Sequence, residues 1–171
     1  MQLEELVNHK LFAYCGLYCS SCSVYNLSQE DPSKLQAIAN RLNQSIEETR
    51  CNGCRSDKVS LHCSSCELKD CAISRGINFC SECSDYPCDE LKSFQSRMPH
   101  RAELFESLDF LKNHSLEEWE AKMVADFSCC DCGTINSPYN ISCRKCAAIP
   151  GSPFIERNLE KIKQQLGILM K

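Results

Sequence analysis

The chain is predicted to be mostly α-helical, a small cysteine-rich domain and a set of helices followed by a compact cysteine-bearing ribbon with short β structure. Three observations predict this. Apolar residues recur at spacings of three and four in most of the chain outside two cysteine-rich islands. Sixteen of the 171 residues are cysteine. No alternating series of strand-like and helix-like segments is present, which excludes a β/α barrel.

Residues 1–14 read as a short helix with Leu3, Leu6, Val7 and Leu11 on one side. Asp31-Pro32-Ser33 is a helix start, with a capping acid followed by proline in the first turn. Leu35, Ile38, Leu42 and Ile46 follow, giving one amphipathic helix that ends near Thr49. Beyond Asp89, Leu104, Leu108 and Leu111 align with Phe105 beside them. Ser115-Leu-Glu-Glu118 is a capping box that opens a helix with Leu116, Trp119 and Met123 on one face. Ile155, Leu159, Ile162 and Leu166 build a last helix, expected to stop at Gly167.

Residues 50–90 are different. Their large aliphatic or phenylalanine side chains are only six: Val59, Leu61, Leu68, Ile73, Ile77 and Phe79. Ordering backbone costs roughly 1–2 kcal/mol per residue, and burying six such side chains returns about 1.5–3 kcal/mol each. The apolar term falls far short. The same stretch holds eight cysteines, and a structural zinc site contributes on the order of 10–16 kcal/mol in peptides. Metal is the term large enough to fold this segment.

Cysteine at this density signals a cross-linked scaffold, by disulfides or by metal. The start of the chain, MQLEELVNHKLFAYC, has two early glutamates and no apolar core of signal-peptide length. No run resembles a membrane helix. The expectation is a cytoplasmic protein whose thiols stay reduced or hold metal. Net charge is −4 before metal is counted, and thiolate centres make it more negative. A nucleic-acid partner is therefore disfavoured, and a protein partner is the expectation.

The C-terminal island runs Cys129-Cys130-Asp131-Cys132-Gly133, then nine residues, then Cys143-Arg-Lys-Cys146. Two Cys-x-x-Cys turns at this separation form a zinc-ribbon pattern, with Cys129, Cys132, Cys143 and Cys146 as ligands. Gly133 stands where such a turn favours positive φ, and Ala147 stands at the equivalent place in the second turn. Cys130 is a spare. Arg144 and Lys145 are read as solvated charges.

The N-terminal island holds Cys15, Cys19, Cys22, Cys51, Cys54, Cys63, Cys66, Cys71, Cys80, Cys83 and Cys88. One grouping takes Cys51, Cys54, Cys66 and Cys71 as one site, and Cys80, Cys83 and Cys88 with Cys19 or Cys22 as another. Cys63 is then spare and His62 a surface residue. The whole chain would carry two or three zinc ions. The alternative is a [4Fe–4S] cluster in the N-terminal domain, kept open by the close triad Cys15, Cys19, Cys22. Thiolates suit both. The bacterial ferredoxin run is absent, since Pro87 precedes Cys88 rather than following it. The triad spacing matches radical S-adenosylmethionine enzymes, but the required barrel is not there. Phosphate loops and nucleophile elbows are missing, and adjacent acids such as Glu117/Glu118 diverge on a helix. The reading leans away from an enzyme.

Cys15-Gly-Leu-Tyr-Cys19-x-x-Cys22, Cys51-Asn-Gly-Cys54, Cys66-x4-Cys71 and Phe79-Cys80-Ser-Glu-Cys83-Ser-Asp-Tyr-Pro-Cys88 resemble, in order and spacing, the cysteine-rich family known as domain of unknown function 3795. The resemblance spans about residues 11–95. It implies a metal-binding module of anaerobic bacteria and archaea, often followed by a zinc ribbon, and brings no catalytic residues. The expected division is a Cys-rich domain at 1–98, a helical segment at 99–126 that packs on it, and a ribbon with a C-terminal helix at 127–171. The functional expectation is a structural or interaction module built on zinc; the alternative is an iron–sulfur redox or accessory protein of anaerobic metabolism.

Overall fold

The structure, a computed structural model, describes residues 9–169. The chain forms two compact units, Met1–Cys80 and Ser81–Lys171. Both are mostly helical, and β structure among the described residues is limited to isolated bridges such as Phe12 with Tyr18 and Ser128 with Ile135. Leu3, Leu6 and Val7 of the expected first helix lie outside the described residues, and His9–Leu11 form a single 3-10 turn.

In the first unit, α1 (Ser23–Glu30) starts directly after Cys22. The next helix, α2 (Pro32–Arg41), begins as the sequence predicts: Asp31 accepts a hydrogen bond from the Lys34 N–H and Pro32 opens the first turn. It does not run on to Thr49. Asn43 takes a left-handed conformation, φ 54°, and Ser45 starts α3 (Ile46–Thr49) with its own capping box to Glu48. Asparagine tolerates that conformation, and the box satisfies the new helix start; the two together outweigh the continuing apolar period. Helices α4 (Leu61–Ser64) and α5 (Glu67–Arg75) follow, the latter closed by Gly76 at φ 65°. Leu11, Phe12, Ala13, Tyr18, Leu35, Ala39, Leu68 and Ala72 are buried apolar side chains, with Cys15 and Cys51 beside them in the buried set.

In the second unit, α6 (Asp89–Ser96), α7 (Leu104–Asn113), α8 (Leu116–Phe127) and α9 (Pro153–Leu169) bury Leu91, Leu104, Leu108, Trp119, Met123, Phe127, Ile155 and Ile162. The Ser115–Glu118 capping box is present. Trp119 is fully buried and its Nε1–H donates to Ser107 Oγ at 2.8 Å. Helix α9 passes through Gly167 instead of stopping there; nothing packs where its side chain would stand, so glycine costs this turn only its entropy.

Arg157 on α9 forms a two-pronged ion pair with Glu103, at 3.0 and 3.1 Å, and reaches Asp126 on α8 at 2.9 Å. Asn158 also donates to Glu103, at 2.6 Å. Partial burial works to raise the Glu103 pKa, but Arg157 and Asn158 outweigh it and hold the carboxyl below its usual range. A depressed carboxyl stabilises the fold above its unfolded pKa, about 4.3, and that contribution disappears as pH falls through the folded value. Glu103→Gln should thus lower the melting temperature at neutral pH, and the gap to wild type should close below about pH 4. Thermal melts of the full chain at pH 7 and pH 3.5 measure this.

Candidate metal centre

The C-terminal cysteines lie on the loop between α8 and α9. Its two halves are conformational copies. The Cys129 N–H donates to Thr134 O at 2.9 Å, and the Gly133 N–H donates back to Cys129 O at 2.9 Å. The Cys143 N–H donates to Ala148 O at 2.8 Å, and the Ala147 N–H to Cys143 O at 2.9 Å. Gly133 has φ 71° and Ala147 φ 64°. Positive φ, expected from the first turn's glycine, is thus imposed on alanine in the second, where the Cβ makes it costly.

These turns bring four sulfurs together. Cys129 to Cys146 and Cys132 to Cys143 are each 3.6 Å apart, and all four lie within 4.8 Å of one another. A single ion with metal–sulfur bonds of about 2.3 Å sets the sulfurs roughly 3.8 Å apart along a tetrahedral edge. The four residues therefore fit one thiophilic ion. Burial opposes ionisation of Cys143, but N–H groups of Cys146 and Lys145 and the Asn136 side chain outweigh it and bring the thiol to about 6. The Thr134 hydroxyl and backbone lower Cys132 as well. Ligand sulfurs must be thiolates; the Ala148 N–H works to lower Cys146 too, but hydrogen bonds with neighbouring sulfurs outweigh it and push that thiol up to about 12, so the loop favours thiolate at Cys132 and Cys143. Cys130 is exposed and outside the group.

Asn136, which the sequence reading did not single out, organises the loop. It is fully buried. Its Nδ2 donates to Thr134 O at 3.1 Å and Gly151 O at 2.7 Å, and its Oδ1 accepts from the Arg144 N–H at 3.0 Å. One side chain ties the first turn, the second turn and the loop exit. The clue in the sequence is its place in the spacer, three residues beyond Gly133, but spacing alone does not distinguish it from Asn140. Arg144 also departs from the expected solvated charge: it is half-buried and its Nε donates to Ile135 O at 3.0 Å. Lys145 is exposed.

In the first unit the cysteine segments converge. Arg55 fastens three of them: its Nε–H donates to Phe12 O at 2.7 Å, its second nitrogen donates to Asn78 O, and its guanidinium lies 3.9 Å from the Tyr14 ring centre and 5.1 Å from that of Phe79. The Cys80 N–H donates to Tyr14 O at 2.8 Å. Ser28 on α1 accepts the Cys51 N–H at 3.0 Å. Several sulfurs accept backbone N–H groups: Cys19 from Cys54 at 3.3 Å, Cys51 from Gly53 at 3.4 Å, Cys15 from Leu17, Cys54 from Tyr14, and Cys22 from Val24 and Tyr25.

The thiols also act on one another. Burial pushes the Cys15 thiol up, and repulsion from Cys54, Cys66 and Cys80 adds to it against the Leu17 N–H. Burial likewise raises Cys19, with Cys54, Cys22 and Cys51 adding. Cys63 is pushed up to about 11 by burial, opposed by Ser60 and reinforced by Cys22, Cys51 and Cys54. Of the expected ligands, Cys54 and Cys66 thus neighbour each other, while Cys51 keeps company with Cys19 and Cys22. Cys71 is exposed on α5, as is His62 on α4. In the second unit, Cys83 accepts the Asp85 N–H at 3.5 Å and Cys88 stands at the start of α6. Among the described residues, the C-terminal four are the group whose ligand atoms all lie within 4.8 Å of one another.

Residues 11–93 match the model of a protein family of unknown function, DUF3795. The cysteine-rich region is thus similar to that family, the likeness that its order of cysteines had suggested. No curated protein and no solved structure matches the chain. No described helix is long and apolar enough to cross a membrane.

Proposed function

We propose that the chain is a cytoplasmic zinc-binding module whose metal centres are structural and support a surface for a protein partner. The observation that carries this reading is the convergence of the Cys129, Cys132, Cys143 and Cys146 sulfurs, at spacings that suit one tetrahedral ion. Four protein ligands close such a site and leave no position for a substrate, which is the pattern of a structural zinc ribbon. The net charge of −4 favours a protein over a nucleic acid as partner. A second reading gives the N-terminal region an iron–sulfur cluster and a redox or accessory role. The crowd of N–H donors on buried sulfurs there favours it, because such bonds tune cluster potentials.

Full-length protein purified without oxygen tests both. Zinc, iron and acid-labile sulfide per chain should show zinc throughout, and Cys143→Ser should lose one zinc equivalent while the remainder stays. A metal-free wild type, or a Cys143→Ser protein with its full complement, overturns the zinc-module reading. Iron with matching sulfide in the protein, together with absorption near the visible edge, selects the second reading for the N-terminal region.

A further inference from the structure

We infer that Cys146 is the reactive sulfur of the C-terminal centre, and that a peroxide joins it to Cys129 in a disulfide that releases the ion. This rests on the reading that Cys129, Cys132, Cys143 and Cys146 hold zinc, and it gives that site a reaction. The chemistry is at sulfur and needs no open position on the ion.

The four sulfurs are not equivalent. Cys129 and Cys143 are each 3 % exposed, whereas Cys132 and Cys146 are open to solvent. With an ion bound all four are thiolates, so access and basicity decide which of them a peroxide meets first. Access leaves Cys132 and Cys146.

Those two hold the same place in two copies of one turn. The Cys129 N–H donates to Thr134 O where the Cys143 N–H donates to Ala148 O, which sets Thr134 against Ala148. Each of these residues turns its backbone N–H to the exposed sulfur of its own turn. Thr134 adds a hydroxyl, with Oγ1 3.3 Å from Cys132 Sγ. Facing a thiolate, that hydroxyl carries the hydrogen, so it donates and draws charge from Cys132. Ala148 has no such group. Cys146 is left the more basic of the two exposed sulfurs, and a tenfold difference in basicity changes the rate of attack about threefold.

Cys129 Sγ stands 3.6 Å from Cys146 Sγ, in the opposite turn. The Cys146 thiolate attacks one peroxide oxygen. A sulfur–oxygen bond forms, the oxygen–oxygen bond breaks, and the departing hydroxide takes a proton to leave as water. The Cys129 thiolate then attacks the sulfenic sulfur. The disulfide forms, the sulfur–oxygen bond breaks, and a second hydroxide leaves as water with another proton. Two thiolates lose two electrons, and the peroxide gains them. Cys132 and Cys143 remain on the ion, and two sulfurs do not close a tetrahedral site. Those two are also 3.6 Å apart, so distance does not choose between the two cross-turn pairs; the Thr134 hydroxyl does.

Full-length protein purified without oxygen is treated with hydrogen peroxide, alkylated and mapped by mass spectrometry, while a chromophoric chelator follows released zinc. A Cys129–Cys146 disulfide should form in step with release of one zinc, about threefold ahead of Cys132–Cys143. Thr134→Val, which keeps the side chain's shape and removes its hydroxyl, should erase that lead. A disulfide within one turn, a bond from Cys146 to the exposed Cys130, a lead for Cys132–Cys143, or an unchanged lead in Thr134→Val overturns the inference. If Thr134→Val fails to fold, the order of iodoacetamide labelling of the wild type replaces it: Cys146 should be the first of the four to react, and Cys132 reacting first overturns the inference. Cys143→Ser separates the two failures. If it costs no ion, the zinc reading falls and takes this inference with it; if it costs one ion and peroxide still gives another disulfide, this inference falls alone.

Discussion

Gly53→Ala is expected to destabilise the first unit by on the order of 3 kcal/mol. Two costs combine. The φ of 108° lies where an L side chain is strained. A Cβ at that position would stand 2.2 Å from the Lys10 carbonyl oxygen and 2.9 Å from its carbon. The obstacle is backbone, so no rotamer change relieves it, and the 51–54 turn must move off residues 9–12. That movement disturbs the Arg55 N–H bond to Lys10 O at 3.4 Å and the Cys54 N–H bond to the Cys19 sulfur. Urea unfolding of the full chain measures the loss, and metal content measured alongside should fall with it. Gly76→Ala is the comparison: it also has positive φ, but nothing lies within 4 Å of its added Cβ, so its cost should be strain alone. Equal effects of the two substitutions would refute the close-approach argument.

Asn136→Ala is expected to cost roughly 2–4 kcal/mol and to weaken metal binding at the C-terminal loop. The side chain satisfies the Gly151 carbonyl, the Arg144 N–H and the Thr134 carbonyl. Each buried group left without a partner costs about 1–3 kcal/mol, and water entering the gap recovers part of it. The substitution also removes a donor that helps keep Cys143 ionised. Competition with a chromophoric zinc chelator should show a weaker site, and hydrogen exchange should rise in residues 134–151. Asn140→Ala gives the contrast, since its Oδ1 serves only the nearby Ser137 N–H and hydroxyl. Equal losses of affinity in the two variants would refute the organising role of Asn136.

The helices were legible in the sequence where a cap and a period agreed, as at Asp31-Pro32 and Ser115–Glu118. The break at Asn43 was not, because Leu42 and Ile46 keep the apolar period running through it; only the Ser45–Glu48 box marked the new start. The C-terminal four cysteines were legible because their geometry is local, two turns on one loop. Cysteines from residue 15 to residue 80 are different. Their neighbours are fixed by an arginine that binds carbonyls and rings from distant segments, and a spacing rule contains nothing about such a clamp. Asn136 was hidden for a related reason: it does its work through backbone groups, which every residue has.

Helices α8 and α9 pack on each other, with Phe127 and Phe154 rings 4.9 Å apart, and the cysteine loop leaves one and enters the other. Ser128 ends α8 one residue before Cys129, and Ser152 receives the Ile155 N–H as α9 begins. The ends of the loop are therefore brought together by the helix pair rather than by the ion. Closing a flexible stretch of this kind carries an entropic cost that grows with the logarithm of its length; here that cost falls on hydrocarbon packing. A peptide cut from 127–152 would have to draw it from the metal itself, and would hold the ion more weakly than the whole chain does.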